Sequence, residues 1–219
     1  MTKDTRQHIA ETIAANLLKI DAIKLDVANP FTWASGLRSP IYCDNRRILS
    51  FPGLRSLVAN RLADMVRESY PGAELVAGVA TGAIAIGVLV AERLGLPFVY
   101  VRSKPKSHGL GAQLEGAPEA GQKTVVVEDL ISTAGSSISA CKALEEHGLE
   151  VLGLIAVFTY GLPIAEQNLL AAGYNLTTLS NYNALLKVAT QEQLIGAGEL
   201  KELQQWREDP KAWAAKHES

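Results

Sequence analysis

Two adjacent carboxylates, Glu128 and Asp129, follow three consecutive valines, Val125 to Val127, and precede Leu130, Ile131 and the small-residue run Ser132-Thr133-Ala134-Gly135-Ser136-Ser137. Three β-branched residues in a row read as a strand buried on both faces, as in a parallel sheet, and the acid pair is expected to end it. From Gly135 the pattern turns helical, with Ile138, Cys141, Leu144 and Glu145 at helical spacing. The hydroxyls and unpaired N–H groups therefore fall at a helix N-terminus, where free donors and the helix dipole favour an anion. Carboxylates beside such a cradle suit a ligand with a phosphate at one end and vicinal hydroxyls in its middle. A ribose 5-phosphate has that shape. The metal-binding strand of a P-loop nucleotidase would look similar, but it requires a G-x-x-x-x-G-K-[ST] loop, and the chain has none. A helix cap in a structural loop explains Ser132 or Ser136 alone, not the whole run.

Three further stretches carry chemistry. Residues 77–83, A-G-V-A-T-G-A, place two glycines around a hydroxyl where a strand passes into a helix, the edge of an α/β sheet at which ligands bind. Close backbone packing explains such a segment about as often as function does. Residues 102–111, R-S-K-P-K-S-H-G-L-G, hold Arg102, Lys104, Lys106 and His108 before two glycines, in a connection longer than ordinary. A solvated basic loop is the plain reading; the length and glycines favour a lid. Residues 31–42, F-T-W-A-S-G-L-R-S-P-I-Y, form two short strands about a glycine turn, rich in aromatic residues that also serve as core.

The elements that must position these residues follow from periodicity. Residues 5–20 are an amphipathic helix, 22–27 an alternating strand, and residues 1–49 together a small cap over the main sheet. A helix starts near Pro52 and runs to about residue 69. From residue 74 strands and helices alternate, which argues a parallel sheet: strands at 75–78, 98–101, 123–127 and 151–159, helices at 83–94 and 135–147, a long loop between 102 and 115. Helices over 163–171, 181–189 and 191–206, with a short strand near 176–178, complete the chain. At 219 residues the protein reads as one domain, able to bury a proper core. Its 21 basic and 23 acidic residues nearly balance, so no broad basic face for nucleic acid is expected. The two cysteines, Cys43 and Cys141, lack metal-ligand spacing and a disulfide framework. The polar start lacks a signal-peptide core and the longest apolar run, near residues 83–91, is too short to span a bilayer, so a cytoplasmic protein without membrane partners is expected.

The run V-V-V-E-D-L-I-S-T-A-G-S-S resembles the phosphoribosyl pyrophosphate (PRPP) signature of type I phosphoribosyltransferases. Within that family, R-x-x-x-K-x-H-G at 102–109 and F-T-x-x-S-G-x-x-S-P at 31–40 resemble the orotate branch. The resemblance implies the type I phosphoribosyltransferase fold, an α/β architecture with a central, mostly parallel sheet flanked by helices and a small N-terminal hood over the pyrimidine. It implies that Glu128, Asp129, Leu130, Ile131, Ser132, Thr133, Ala134, Gly135 and Ser136 bind PRPP, and that residues 77–83 offer N–H groups to its pyrophosphate. Arg102, Lys106 and His108 would meet the pyrophosphate too, Arg102 and Lys106 from the other subunit of a homodimer with shared sites. Lys106, His108 and Asp129 would be catalytic. Mg²⁺ would be bound mainly through PRPP and pyrophosphate, without a dedicated set of protein ligands. The chain departs from many relatives at Ser103, where they are basic, and from some at Ala34, where they have a lysine, and in Phe158-Thr159-Tyr160, which lacks an arginine. Ser132 is then the best side-chain candidate for orotate, and Cys43, Cys141 and His8 are expected to have no chemistry. The alternatives are a transferase for another nucleobase, or a non-catalytic PRPP- or nucleotide-sensing regulator on the same fold.

Overall fold

The computed structural model describes residues 2–33, 35–102 and 113–217. Its centre is a six-stranded sheet of β5 (Leu75–Val79), β6 (Phe98–Val101), β7 (Leu114–Glu115), β8 (Lys123–Ile131), β9 (Glu150–Thr159) and β10 (Leu176–Asn181), in the order β10-β9-β8-β5-β6-β7. All neighbours pair in parallel except β6 and β7, which are antiparallel. The valine run explains the layering. Val125 and Val127 enter the core shared with α2 (Pro52–Ser69) and α3 (Ile84–Leu94), while Val126 packs on the opposite side with α4 (Gly135–Glu146) and α5 (Pro163–Ala172). Burying each such side chain contributes roughly 1.5–3 kcal/mol, so a continuous apolar strand is stable only where both faces are covered.

Two expectations about this strand and its surroundings are corrected. The acid pair does not end the strand: β8 continues to Ile131 because β9 keeps pairing with it, Leu130 opposite Phe158 and Ile131 opposite Thr159. On the other side β5 pairs no further than Gly78 with Val127. Glu128 and Asp129 thus begin where β8 outruns β5, on a strand still held from one side. The 102–115 connection is also shorter, since its end forms β7 against β6.

The N-terminal cap is smaller than residues 1–49. The first helix, α1 (Lys3–Lys19), packs instead against β10 and α6 (Tyr182–Gln191), with Ile13 and Leu17 fully buried in the main core and Ser180 Oγ donating to the Ala10 carbonyl at 2.7 Å. The hood proper consists of two antiparallel pairs, β1 (Ile23–Leu25) with β4 (Ile41–Cys43) and β2 (Phe31–Thr32) with β3 (Arg38–Ser39), followed by a 3-10 turn, Asn45–Ser50. Pro40, which has no N–H to give a ladder, separates β3 from β4, so what reads as one strand serves two sheets. The C-terminal helices differ in register from the periodicity: α7 (Ala197–Glu208) begins after Gly196, and α8 (Pro210–Ala215), capped by Asp209, supports β3.

Candidate active site

Glu128 is buried, and its Oε2 accepts a 2.9 Å hydrogen bond from Ser137 Oγ, itself buried in the first turn of α4. Burial, then the neighbouring Asp129 charge, pushes the Glu128 carboxyl well above the usual carboxylate range. Burial raises the Asp129 carboxyl as well, while its hydrogen bond with Glu128 opposes that rise. Two carboxyls this close favour sharing a proton over carrying two charges. A ligand offering two hydroxyls would replace that arrangement with charge-assisted hydrogen bonds.

Asp129 is set in place from outside its strand. Asn45 Nδ2 donates to its backbone carbonyl at 2.6 Å, and Cys43 Sγ faces Asn45 Oδ1 at 3.4 Å, which fixes the amide's direction. Gly82 lies against the Asp129 carboxylate so closely that a β-carbon there would collide with it. That approach is why the 77–83 segment needs glycine at this position. The segment bends from β5 into α3 through a cis Ala80–Thr81 peptide, and no side chain caps α3.

The 132–136 loop forms a second uncapped helix start. Ala134 is left-handed (φ 64°) and no side chain bonds the first turn of α4, so its N–H groups stay available to an anion. Asn168 Nδ2, from α5, steadies the loop by donating to the Thr133 carbonyl at 2.9 Å. Thr133, Gly135 and Ser136 are exposed, and Leu130 and Ser132 are half-buried.

These parts bound two adjacent clefts. One, of about 320 Å³, is bounded by residues 79–82, Glu128, Asp129, Ser136, and the hood residues Asp44 and Arg46. Arg46 Nε and Nη2 donate to Asp44 at 2.6 and 3.0 Å, which holds the Asp44 carboxyl below its ordinary value. The other, of about 220 Å³, is lined by Thr32, Trp33, Tyr42, Ser132 and Tyr160. Cys43 and Leu130 line both. Trp33 stacks on Tyr160 with ring centroids 5.4 Å apart, and the edge of Trp206, from α7, supports both rings. Burial and the carboxylates of Asp129 and Asp44 push the Cys43 thiol up, so it stays neutral. A third cavity of about 300 Å³ between α1, α2 and β10 lies away from the acid pair and both uncapped termini.

The structure brings Glu128 through Ser136 to one sheet edge. Arg102 stands apart from both clefts: its N–H and carbonyl bond Gln113 at 2.8 and 2.6 Å, and its guanidinium lies 3.6 Å from Glu115. Lys104, Lys106 and His108, and the departure at Ala34, lie outside the described residues. Sequence reasoning missed Asn45 and Asn168, and it gave Ser137 no role apart from the run that contains it. Asn45 and Asn168 each donate to a backbone carbonyl distant in sequence, and nothing local in the chain marks such a role.

The chain matches the family model described as "Phosphoribosyl transferase domain" over residues 48–168. It is 52% identical over 207 residues to an orotate phosphoribosyltransferase of Bacteroides fragilis, covering 94% of this chain and 98% of that one. It is 50% identical over 205 residues to one of Porphyromonas gingivalis, with 94% and 98% covered. The crystal structure of orotate phosphoribosyltransferase from Aeropyrum pernix superposes with a TM-score of 0.72 at 28% identity, over 84% of this chain and 99% of that one. With half of its residues shared across nearly the full length of such relatives, the chain belongs to the orotate phosphoribosyltransferase family.

Proposed function

We propose that the chain transfers the ribose 5-phosphate group of PRPP to orotate, giving orotidine 5′-monophosphate and pyrophosphate in pyrimidine nucleotide synthesis. The observation that carries this reading is the junction of the two clefts at Cys43 and Leu130. A polar cleft with a carboxyl pair and two uncapped helix starts there adjoins an aromatic cleft of about 220 Å³. In the reaction orotate N1 bonds to C1′ as the C1′–oxygen bond to pyrophosphate breaks, through an oxocarbenium-like transition state, and the N1 proton is given up. No side-chain nucleophile is required; positioning and charge stabilisation suffice.

On this reading Glu128 and Asp129 hold the ribose hydroxyls, and Asp129 lies near the positive charge that develops at C1′. The N–H groups and hydroxyls of residues 132–136 take the 5-phosphate, and residues 80–83 the pyrophosphate. Ser132 and the Trp33–Tyr160 wall bound the base. Among the described residues no group of three His, Cys, Asp or Glu stands together as a metal site. Mg²⁺ would be held mainly by PRPP oxygens and water, the hard oxygen ligands it prefers, and would supply positive charge to neutralise the leaving pyrophosphate. Arg102, Lys106 and His108 complete the pyrophosphate site in a homodimer whose subunits exchange these loops. No helix among the described residues is long and apolar enough to cross a membrane.

Orotate consumption, followed by absorbance with PRPP and Mg²⁺, tests the reading. Turnover of orotate, with little of uracil, adenine, guanine or hypoxanthine at equal concentration, is expected. PRPP binding without turnover of any base would replace the enzyme with a sensor, and equal rates with uracil would overturn the orotate assignment.

A further inference from the structure

Orotate differs from uracil by one carboxylate, and the base cleft as lined holds no positive charge. Arg46 lines the polar cleft and Arg38 lies beside the base cleft, and their engagements separate the two guanidiniums. Arg46 is committed to Asp44 through two hydrogen bonds. Arg102, apart from both clefts, holds its guanidinium 3.6 Å from Glu115. Arg38 has no carboxylate partner among the described residues.

Its place in the hairpin directs it. Arg38 on β3 is the cross-strand partner of Thr32 on β2, and residues directly opposite in an antiparallel pair project on the same face. Thr32 lines the base cleft. Arg38 Nη1 reaches Thr32 Oγ1 at 3.4 Å, at the rim of that cleft, and the residue is half-buried with its strand backed by α8. A half-buried guanidinium with free donors, beside a cleft walled by aromatic rings, suits a planar carboxylate bidentately.

We propose that Arg38 is the specificity-determining residue for the base, binding the orotate carboxylate from the hood. The proposal rests on the function argued above. It also accounts for a hood with alanine at position 34, because the positive charge enters from the opposite strand of the same hairpin. Lys24 offers the internal comparison: it is paired across β1–β4 with Tyr42, another cleft residue, but makes no contact with the cleft lining among the described hydrogen bonds and ion pairs.

The test is steady-state kinetics of the full chain and of Arg38→Gln, Arg38→Lys and Lys24→Gln, with orotate and with uracil as acceptors. Arg38→Gln should raise the KM for orotate on the order of 10- to 100-fold, the loss of a charge-assisted contact. Its KM for PRPP and its rate with uracil should stay within about twofold of wild type, so that discrimination between the bases collapses. Arg38→Lys should recover part of the loss, and Lys24→Gln should change neither substrate. An unchanged orotate KM in Arg38→Gln would overturn the proposal, as would equal losses with both bases, the mark of a merely structural role. A KM rise confined to Lys24→Gln would overturn it too. A wild-type chain that cannot use orotate would instead overturn the underlying function, so the two failures are distinguishable.

Discussion

Asn45 Nδ2 donates a 2.6 Å hydrogen bond to the backbone carbonyl of Asp129, joining the hood to the acid pair across 84 positions of sequence. Asn45 is only 4% exposed, so water cannot replace the bond at little cost. Asn45→Ala should destabilise the protein by about 1–3 kcal/mol, measured by denaturant unfolding. It should also raise the KM for PRPP, because Asp129 loses the contact that sets its height at the sheet edge. A stable variant with unchanged PRPP kinetics would show that the strand alone positions the acid.

The acid pair should matter more for turnover than for folding. Asp129→Asn is expected to lower kcat by about 10²-fold or more while the unfolding midpoint moves little. A variant that melts early yet keeps full specific activity would reverse the assignment.

A pH dependence follows from the same pair. Burial keeps a proton on Glu128 in the folded state that the unfolded chain releases near its ordinary value of 4.5. Between that pH and the raised folded value the native state binds more protons, so stability falls as pH rises through the window. Asp129, also raised by burial, acts in the same direction. Glu128→Gln removes the larger titration. Its melting temperature relative to wild type should therefore climb from about pH 5 to about pH 8, while its activity is reduced. A difference that stays constant across that range would contradict the raised carboxyl.

Gly82 gives a steric test. A β-carbon at this half-buried position meets the Asp129 carboxylate, so Gly82→Ala must displace either the loop or the acid. The KM for PRPP should rise about tenfold or more, since small displacements at a reacting centre are costly. Stability should change by about 1 kcal/mol or less, as the residue supports no core. Wild-type PRPP kinetics would show that the 80–83 loop does not contact the ligand.

The proposed shared-site dimer predicts complementation. Lys106→Ala and Asp129→Asn proteins, each inactive, should regain activity when mixed under conditions of subunit exchange. In a heterodimer one site receives both lesions and the other neither, so about a quarter of wild-type activity returns with random exchange. No recovery despite demonstrated exchange would assign the 102–111 segment to its own chain.

The local chemistry of this protein was legible in its sequence. Consecutive valines are buried between two helical layers, and a small-residue run with helical spacing after it marks a helix start, so the parallel sheet and the edge that carries residues 128–136 follow from the order of residue types. The aromatic hood and its turn were legible for the same reason. What the tertiary structure decided are relationships between strands and between distant segments. Local pattern suggests that β8 ends at the acids, but pairing with β9 carries it to Ile131 while β5 stops earlier, and only that unequal length opens the carboxyl edge. The first helix looks like part of the cap until its apolar stripe finds β10 and α6. Asn45 on Asp129, Ser137 on Glu128 and Arg38 beside Thr32 depend on one or two hydrogen bonds each. Such bonds impose no periodicity on the chain, because a single donor needs only to arrive at the right place, whereas a buried face must repeat along the whole element that it covers.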